Sequence, residues 1–255
     1  MTATLMALLH RDMRVARREI QYFFLRVALQ PLLFTFIFGF VMPKLSLVQS
    51  GYANYLLPGI LALSITMSGM QAVALPLVVE FGWTKEIEDR LLAPISIAGV
   101  AAEKILVGII QSIIAGLFVL PLAWIMMGSG LKLEGTNALL LVAVSVLSGW
   151  LFSSLGMVMG TVVAPQQIGL MFNVLLGPMI FFGCAYYPWA GLKILPWFQM
   201  LVLINPLVYA SEGFRVALTP NLPHMPVLGV LGGLAGFCVF LTILGLRQFE
   251  RRALD

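Results

Sequence analysis

The sequence predicts an all-α polytopic membrane protein with six transmembrane helices, an N-terminal amphipathic helix at the interface and a re-entrant helical hairpin between spans five and six. Of its 255 residues 60% are hydrophobic and only 10% are charged, whereas about a quarter of a soluble domain is charged. Several apolar runs reach the roughly 20 residues that a helix needs to cross the hydrocarbon core. None shows the alternating pattern of an outer-membrane barrel strand.

Residues 2–20 are the first predicted element, an amphipathic helix. At 100° per residue one face is apolar, with Leu5, Leu9, Met13, Ala16 and Ile20, and the opposite face carries Arg11, Arg14 and Arg18. Such a helix lies in the membrane interface with its arginines near lipid phosphates, so membrane lipid is an expected partner. A solvated basic arm with no further task is the alternative, and both interpretations place the segment in the cytosol.

The six predicted spans follow this helix. They cover residues 23–42, 55–79, 105–127, 138–163, 168–187 and 227–246. Eleven of the fifteen Lys and Arg residues then lie on the side of the two termini, and four lie on the other side, namely Lys44, Lys132, Lys193 and Arg215. The positive-inside rule therefore predicts that both termini are cytoplasmic.

Residues 190–220 are apolar enough to suggest a seventh span, but they are interrupted by Pro196 and Pro206 and contain Glu212 and Arg215. A seventh crossing would also put the basic C-terminus outside. We expect instead a re-entrant hairpin with its turn at Asn205 and Pro206, packed against protein because lipid cannot satisfy its backbone. Since no repeat or low-complexity linker occurs, residues 1–255 are expected to form a single domain.

The chemistry that is missing narrows the function. Apart from Arg26, which we count with the cytoplasmic charges, the spans carry no Asp, Glu, Lys, Arg or His, and this disfavours an ion-coupled carrier. A phosphate loop of the Walker type and a catalytic Ser/His/Asp or His/Cys cluster are absent from the sequence, so no catalytic residue, metal site or cofactor is expected in this chain. Because the net charge of +4 comes mostly from arginines near the termini, it indicates orientation and not nucleic-acid binding.

One interior segment concentrates charge between two spans. Residues 80–96 read EFGWTKEIEDRLLAPIS and contain Glu80, Lys85, Glu86, Glu88, Asp89 and Arg90. A helix can continue from Glu80 to Leu92 before Pro94 disfavours it. Its polar side is suited to docking in a groove of a soluble partner, and a solvated loop with self-paired charges is an equally good interpretation.

Three features together resemble the ABC-2 type permeases, the membrane subunits of bacterial export ATP-binding-cassette transporters. They are the amphipathic helix before six spans, the sequence EIEDRLLAPIS between spans two and three, and NPLVYASEGFR (residues 205–215) between spans five and six. The similarity runs along the whole chain and is greatest to the small stand-alone permeases of the drug, Nod-factor and polysaccharide export group.

The resemblance implies an export subunit of the bacterial inner membrane that is not itself an enzyme. Two copies, here expected to be identical, would work with separate ABC ATP-binding subunits that bind ATP and Mg. It assigns coupling to the ATPase to Glu80, Lys85, Glu86, Glu88, Asp89 and Arg90, together with the interfacial helix of Arg11, Arg14 and Arg18. It assigns Asn205, Pro206, Glu212 and Arg215 to the outer hairpin, where a purely structural Glu212–Arg215 pair is the simpler interpretation.

The cargo is not specified by any motif, and substrate-binding residues remain unknown. Met157, Met159, Met171 and Met179 offer a pliable apolar surface, although ordinary packing accounts for them equally well. Polysaccharide exporters of the family that the chain resembles tend to line their channel with aromatic residues, whereas here the aromatic residues cluster in span one and the outer turn. This difference from the family pattern, together with the methionines, favours a lipid, lipid-linked glycan or drug over a bare sugar chain. A non-transporting membrane scaffold or enzyme subunit is the alternative function.

Overall fold

The computed structural model describes residues 2–18, 29, 31–47, 51–91, 95–127 and 135–254. These residues form helices and turns without any strand. They include five helices that are long and apolar enough to cross a membrane, or six if one sharply bent pair is counted as a span. The predicted all-α polytopic fold is therefore confirmed.

The first helices are α1 (Thr2–Arg18), α2 (Pro31–Lys44, with a π-helical centre Thr35–Val41), α3 (Tyr52–Gly82), α4 (Glu86–Leu91) and α5 (Ile97–Met127). They are followed by α6 (Ala138–Val162), α7 (Ile168–Phe182), α8 (Pro196–Leu201), α9 (Pro206–Leu218) and α10 (Val227–Leu254). Short 3₁₀ turns occur at Pro165–Gln167, Trp189–Ile194 and Val202–Ile204. Much of the first predicted span, including residues 23–28, lies outside the described residues.

Helix α3 is the centre of the bundle and is buried along most of its length. It packs most extensively against α6, where a Cβ on Gly156 would lie 2.4 Å from the Met70 carbonyl oxygen and one on Gly160 would lie 2.8 Å from Leu77 Cβ. The G-x-x-x-G spacing of α6 thus lets the two backbones approach closely inside one subunit.

Three helix ends differ from the sequence prediction. Helix α5 begins at Ile97 and not near residue 105. Its second turn contains Glu103 and Lys104, whose charges are buried and therefore do not end the helix. Helix α7 ends at Phe182, and the chain turns through Cys184, whose φ of 52° is left-handed. Helix α3 ends at Gly82 and does not continue to Leu92, because a turn at Trp83–Lys85 separates it from α4.

The predicted bend at Asn205 and Pro206 is present. The helical segments Pro196–Ile204 and Pro206–Leu218 meet there at 102°. The Asn205 side chain accepts a hydrogen bond from Leu207 N (3.0 Å) and donates one to the Met179 carbonyl (2.8 Å). Pro206 occupies the first turn of α9, where a missing N–H leaves no helical hydrogen bond unmade. The cap and the proline together fix the bend.

Both ends of the described chain lie at the same end of the bundle. Helix α1 packs against the start of α5, and the Arg252 guanidinium of α10 lies 5.8 Å from the Phe81 ring at the end of α3. The bent α8–α9 segment lies at the opposite end, beside the start of α3. This arrangement brings α1, α4 and the start of α5 together.

Candidate coupling site

A tight turn separates α3 from α4 and aims α4 back at the bundle. The amide groups of Trp83 and Thr84 both donate to the Val79 carbonyl, at 2.9 Å and 3.0 Å, and Lys85 adopts a left-handed φ of 53°. Ile87 is then buried in an apolar cluster with Val100 and Phe249, among others. Arg90 lies one turn further along the same side of α4 and is also buried. Helix α4 is therefore held by one apolar and one charged side chain.

Arg90 is the centre of a set of five charged residues, which we call the charge cluster: Asp12, Glu80, Arg90, Glu103 and Lys104. Four of them are buried, and the side chain of Asp12 is 12% exposed. Its guanidinium donates to both oxygens of Asp12, at 2.8 Å and 3.2 Å, and to Glu80 Oε1 at 2.9 Å. Lys104 Nζ donates to Asp12 Oδ2 at 2.8 Å and to Glu80 Oε1 at 2.6 Å. The cluster therefore joins α1, α3, α4 and α5 by charge-assisted hydrogen bonds, the stronger class of hydrogen bond.

The charges of the cluster do not balance, since three carboxylates face two cations. Glu103 is fully buried, and its Oε2 lies 3.8 Å from Arg90 Nη1. Neither of its carboxylate oxygens has a hydrogen-bond partner among the described residues, and the same holds for Glu80 Oε2 and Arg90 Nε. A buried ionised group without full pairing is costly. The cluster is thus strongly bonded around Asp12 and poorly satisfied around Glu103.

The two members of the cluster outside the long helices have shifted pKa values. Burial alone would raise the pKa of Asp12, but the attraction of Lys104 and the hydrogen bonds from Arg90 and Lys104 outweigh it and lower that pKa. Burial alone would lower the pKa of Arg90, and the hydrogen bonds to Asp12 with the charges of Glu80, Asp12 and Glu103 raise it instead. Both shifts favour the ionised forms.

A cavity of about 420 Å³ lies beside the cluster, between α1, α3 and α5. At its edge Arg11 Nη2 donates to Glu86 Oε2 at 2.7 Å, and both side chains remain nearly half exposed. Lys85 is exposed as well. The side chains of Glu88 and Asp89 lie outside the described residues. The predicted coupling residues whose side chains are described therefore divide into two parts. Glu80 and Arg90 are buried, and Lys85 and Glu86 form an exposed edge that we call the rim.

A second buried charged site holds the outer hairpin. Arg215 and Glu212, one turn apart on α9, are both fully buried and form an ion pair. The Glu212 carboxylate also accepts from Trp189 N (2.8 Å) and Met225 N (2.7 Å), while Arg215 Nη2 donates to the carbonyls of Cys184 (3.0 Å) and Tyr55 (3.4 Å). We call this arrangement the outer lock, after the outer side that the sequence predicts for this end of the bundle. It ties α9 to both flanking loops and to α3.

The structure brings together residues that the sequence prediction does not connect. Asp12, Glu103 and Lys104 are not among the predicted site residues, although Asp12 interrupts the basic helix and Glu103–Lys104 is an opposite-charge pair just before an apolar run. Arg14 and Arg18 lie on exposed positions of α1, away from the cluster. Of the four methionines proposed as a pliable surface, Met157, Met159 and Met179 are buried in the bundle, while Met171 is 39% exposed.

The family comparison covers both charged sites. Residues 3–219 match the family model of the ABC-2 type transporter, a range that runs from α1 to just beyond the end of α9. No curated protein matches the chain at a significant level. Domains of this family are transmembrane components without an ATPase site, and they normally partner with an ATP-binding subunit. The chain therefore belongs to the ABC-2 type transporter family, as a multi-pass membrane subunit of an ABC transporter.

Proposed function

We propose that this chain is the permease subunit of an ATP-driven exporter and that α4 receives the mechanical input from a separate ATP-binding subunit. The observation that carries the proposal is the charge cluster. Through Arg90 and Lys104 it connects α4 with α1, α3 and α5. A displacement of α4 therefore reaches two membrane-spanning helices and the interfacial helix at once.

The rim and the cluster have different roles in this mechanism. Lys85 and Glu86 are exposed or half exposed, so with Glu88 and Asp89 they form the docking surface for the ATP-binding subunit, alongside α1 with Arg11, Arg14 and Arg18. Glu80 and Arg90 are buried against the chain's own helices, so they transmit movement and do not touch the partner. Charge-assisted, bidentate hydrogen bonds such as Arg90–Asp12 transmit displacement well because they are directional.

The remaining parts of the proposal follow the resemblance. Two identical copies of the chain lie in the bacterial inner membrane with both termini cytoplasmic, and ATP with Mg is bound by the partner subunits. The outer lock, with Asn205 and Pro206 at the bend, holds the hairpin as a rigid piece at the outer end of the pathway. The proposed cargo is hydrophobic or amphipathic, a lipid, lipid-linked glycan or drug, because apolar side chains such as Met171 and Phe181 remain exposed on α7.

Docking is tested by co-purifying the chain with an ATP-binding-cassette subunit from the same organism. The variant carries Glu86→Lys, Glu88→Lys and Asp89→Lys, and we expect the yield of complex to fall at least about tenfold, because opposed like charges at an interface cost several kcal/mol. Glu250→Lys is the matched control, since Glu250 is an exposed glutamate near the end of α10 at the same end of the bundle. Undiminished complex formation by the triple variant would refute the docking assignment.

Transmission is tested separately with Arg90→Met. Because Arg90 is buried, we expect this variant to keep the complex but to lose the substrate-dependent stimulation of ATP hydrolysis in nanodiscs. Full stimulation by a folded Arg90→Met complex would refute the role of the cluster in coupling while leaving the docking result intact.

A further inference from the structure

Of three ligand-sized spaces along α1 in the described part of the chain, one lies on the flank away from the Glu80 side of the charge cluster and has α5 as its other wall. This space, which we call the basic crevice, has a volume of about 440 Å³ and lies between α1 and α5. Its polar wall contains His10, Arg14 and Arg17, and its other wall contains Met13, Ile114 and Gln111. We propose that the basic crevice is a binding site for one anionic phospholipid.

The charge of the crevice selects an anion. No carboxylate is among its lining residues, in contrast to the cavity on the other flank of α1, which is lined by Asp12, Glu80 and Glu86. Among the described residues Arg17 has no ion-pair partner, and Arg14 contacts only the His10 ring nitrogen, at 3.2 Å. Two arginines on one wall, with no counter-charge among the described residues, attract phosphate oxygens, to which a guanidinium binds in bidentate fashion.

The opposite wall distinguishes a lipid from a free anion. Gln111 lies seven residues beyond Lys104 on α5, which places it about 10 Å further into the bundle than the cluster. Ile114 and Leu117 continue from there along the surface of α5 and are 37% and 69% exposed. A phosphate held by Arg14 and Arg17 would therefore have an apolar track for its acyl chains directly beside it, as an amphipathic interfacial helix on a membrane span requires.

With a lipid in the crevice, the polar residues on both flanks of α1 would have binding partners. Asp12 fastens one flank of the helix to the cluster, and a phospholipid in the crevice would fasten the other flank to α5. The inference concerns lipid binding by the chain alone and does not depend on the proposed export function.

Native mass spectrometry of the full chain in detergent, titrated with phosphatidylglycerol or phosphatidylcholine, tests the site. We expect one phosphatidylglycerol to be retained in preference to phosphatidylcholine. Arg14→Gln with Arg17→Gln should weaken that binding roughly twenty-five-fold, at about fivefold for each arginine near an anionic headgroup. Arg18→Gln is the matched control, because Arg18 lies on the same helix but does not line the crevice, and it should leave binding unchanged.

Two further arms distinguish a bound lipid from a bound free anion. Ile114→Trp keeps every charge and fills part of the basic crevice from its apolar wall, so it should weaken phosphatidylglycerol binding. Because Ile114 is 37% exposed, the protein should remain folded. Displacement of the lipid by millimolar inorganic phosphate would indicate a free-anion site instead. Equal losses for Arg18→Gln and the double variant, or equal retention of the two lipids, would overturn the proposal.

Discussion

The two buried charged sites, at opposite ends of the bundle, offset the cost of burying charge in different ways. The outer lock contains one cation and one anion on a single helix. Both carboxylate oxygens of Glu212 have partners, and among the described residues only Arg215 Nε of this pair has none. The charge cluster contains two cations and three carboxyl groups on four helices, and both oxygens of Glu103 lack hydrogen-bond partners among the described residues. One site is neutral and local, and the other is unbalanced and shared.

From this difference we expect the outer lock to be a fixed element and the charge cluster to be able to rearrange. A buried network whose carboxylates are all bonded favours a single structure, whereas a network that buries unbonded carboxyl groups leaves alternatives close in free energy. Arg90 already lies 3.8 Å from Glu103 while it is bonded to Asp12 and Glu80. If α4 moves, Arg90 can exchange partners with little net loss of hydrogen bonds. The outer lock offers no comparable exchange within the described residues.

The largest effect is expected at the outer lock. Arg215→Met leaves the Glu212 carboxylate fully buried without its cation, and breaking such a pair costs about 3–5 kcal/mol. We expect a loss of the monodisperse peak in size-exclusion chromatography and a strongly lowered Tm in detergent. Adding Glu212→Gln removes the stranded charge and should recover part of the Tm. A single variant as stable as the wild type would show that the lock does not hold the hairpin.

A smaller loss is expected from Arg90→Met in the charge cluster. Lys104 remains bonded to Asp12 and Glu80, so the stability should fall by about 2–3 kcal/mol, at or below the lower end of the range for a broken buried pair. Adding Glu103→Gln should restore part of it by removing one of the three carboxyl groups that then share a single cation, Lys104. A double-mutant cycle on Tm or on chemical unfolding measures this coupling. Glu103→Gln should stabilise the Arg90→Met variant by more than it stabilises the wild type, and equal gains in the two backgrounds would show that Arg90 does not offset the buried Glu103.

Two substitutions of a carboxylate by its amide test the imbalance further, because we expect them to change the free energy of unfolding in opposite directions. Asp12→Asn weakens three hydrogen bonds to cations and should lower the free energy of unfolding by about 2 kcal/mol. Glu103→Gln replaces a buried carboxyl group that has no hydrogen-bond partner among the described residues, and should raise the free energy of unfolding by about 1 kcal/mol. Thermal unfolding of both variants under identical conditions compares them directly. Equal destabilisation would mean that Glu103 is as well paired as Asp12.

The fold class can be predicted well from the sequence because hydropathy, charge bias and proline positions are local signals. The bend at Asn205 and Pro206 and the i,i+3 pair of Glu212 and Arg215 are examples. The cluster is predicted only in part, because its members are separated by up to 92 residues in the chain. The hydropathy pattern places Glu103 and Lys104 in a solvated segment, since an isolated charge is costly near lipid. Only packing by α1 and α4 makes their burial possible.

The smallest effect is expected at the exposed ion pair of Arg11 and Glu86, which lies at the edge of the cluster. The two side chains are 49% and 42% exposed, so Arg11→Ala should change the free energy of unfolding by about 0–1 kcal/mol, and salt should reduce even that. Thermal unfolding of Arg11→Ala and wild type at low and high salt measures both quantities. Arg18→Ala, another exposed arginine on α1, is the matched control.

The Arg11→Ala experiment determines whether Arg11 belongs to the charge cluster or to the exposed rim. Because Arg11 and Asp12 are adjacent on α1, any loosening of the helix caused by losing the arginine would also weaken the bonds of Asp12. A loss well above 1 kcal/mol that persists at high salt, beyond the usual range for an exposed pair, would therefore assign Arg11 to the buried network, and the rim would no longer be free to engage a partner. A small, salt-sensitive loss leaves Glu86 at the rim as a carboxylate that can exchange Arg11 for a cation on the ATP-binding subunit.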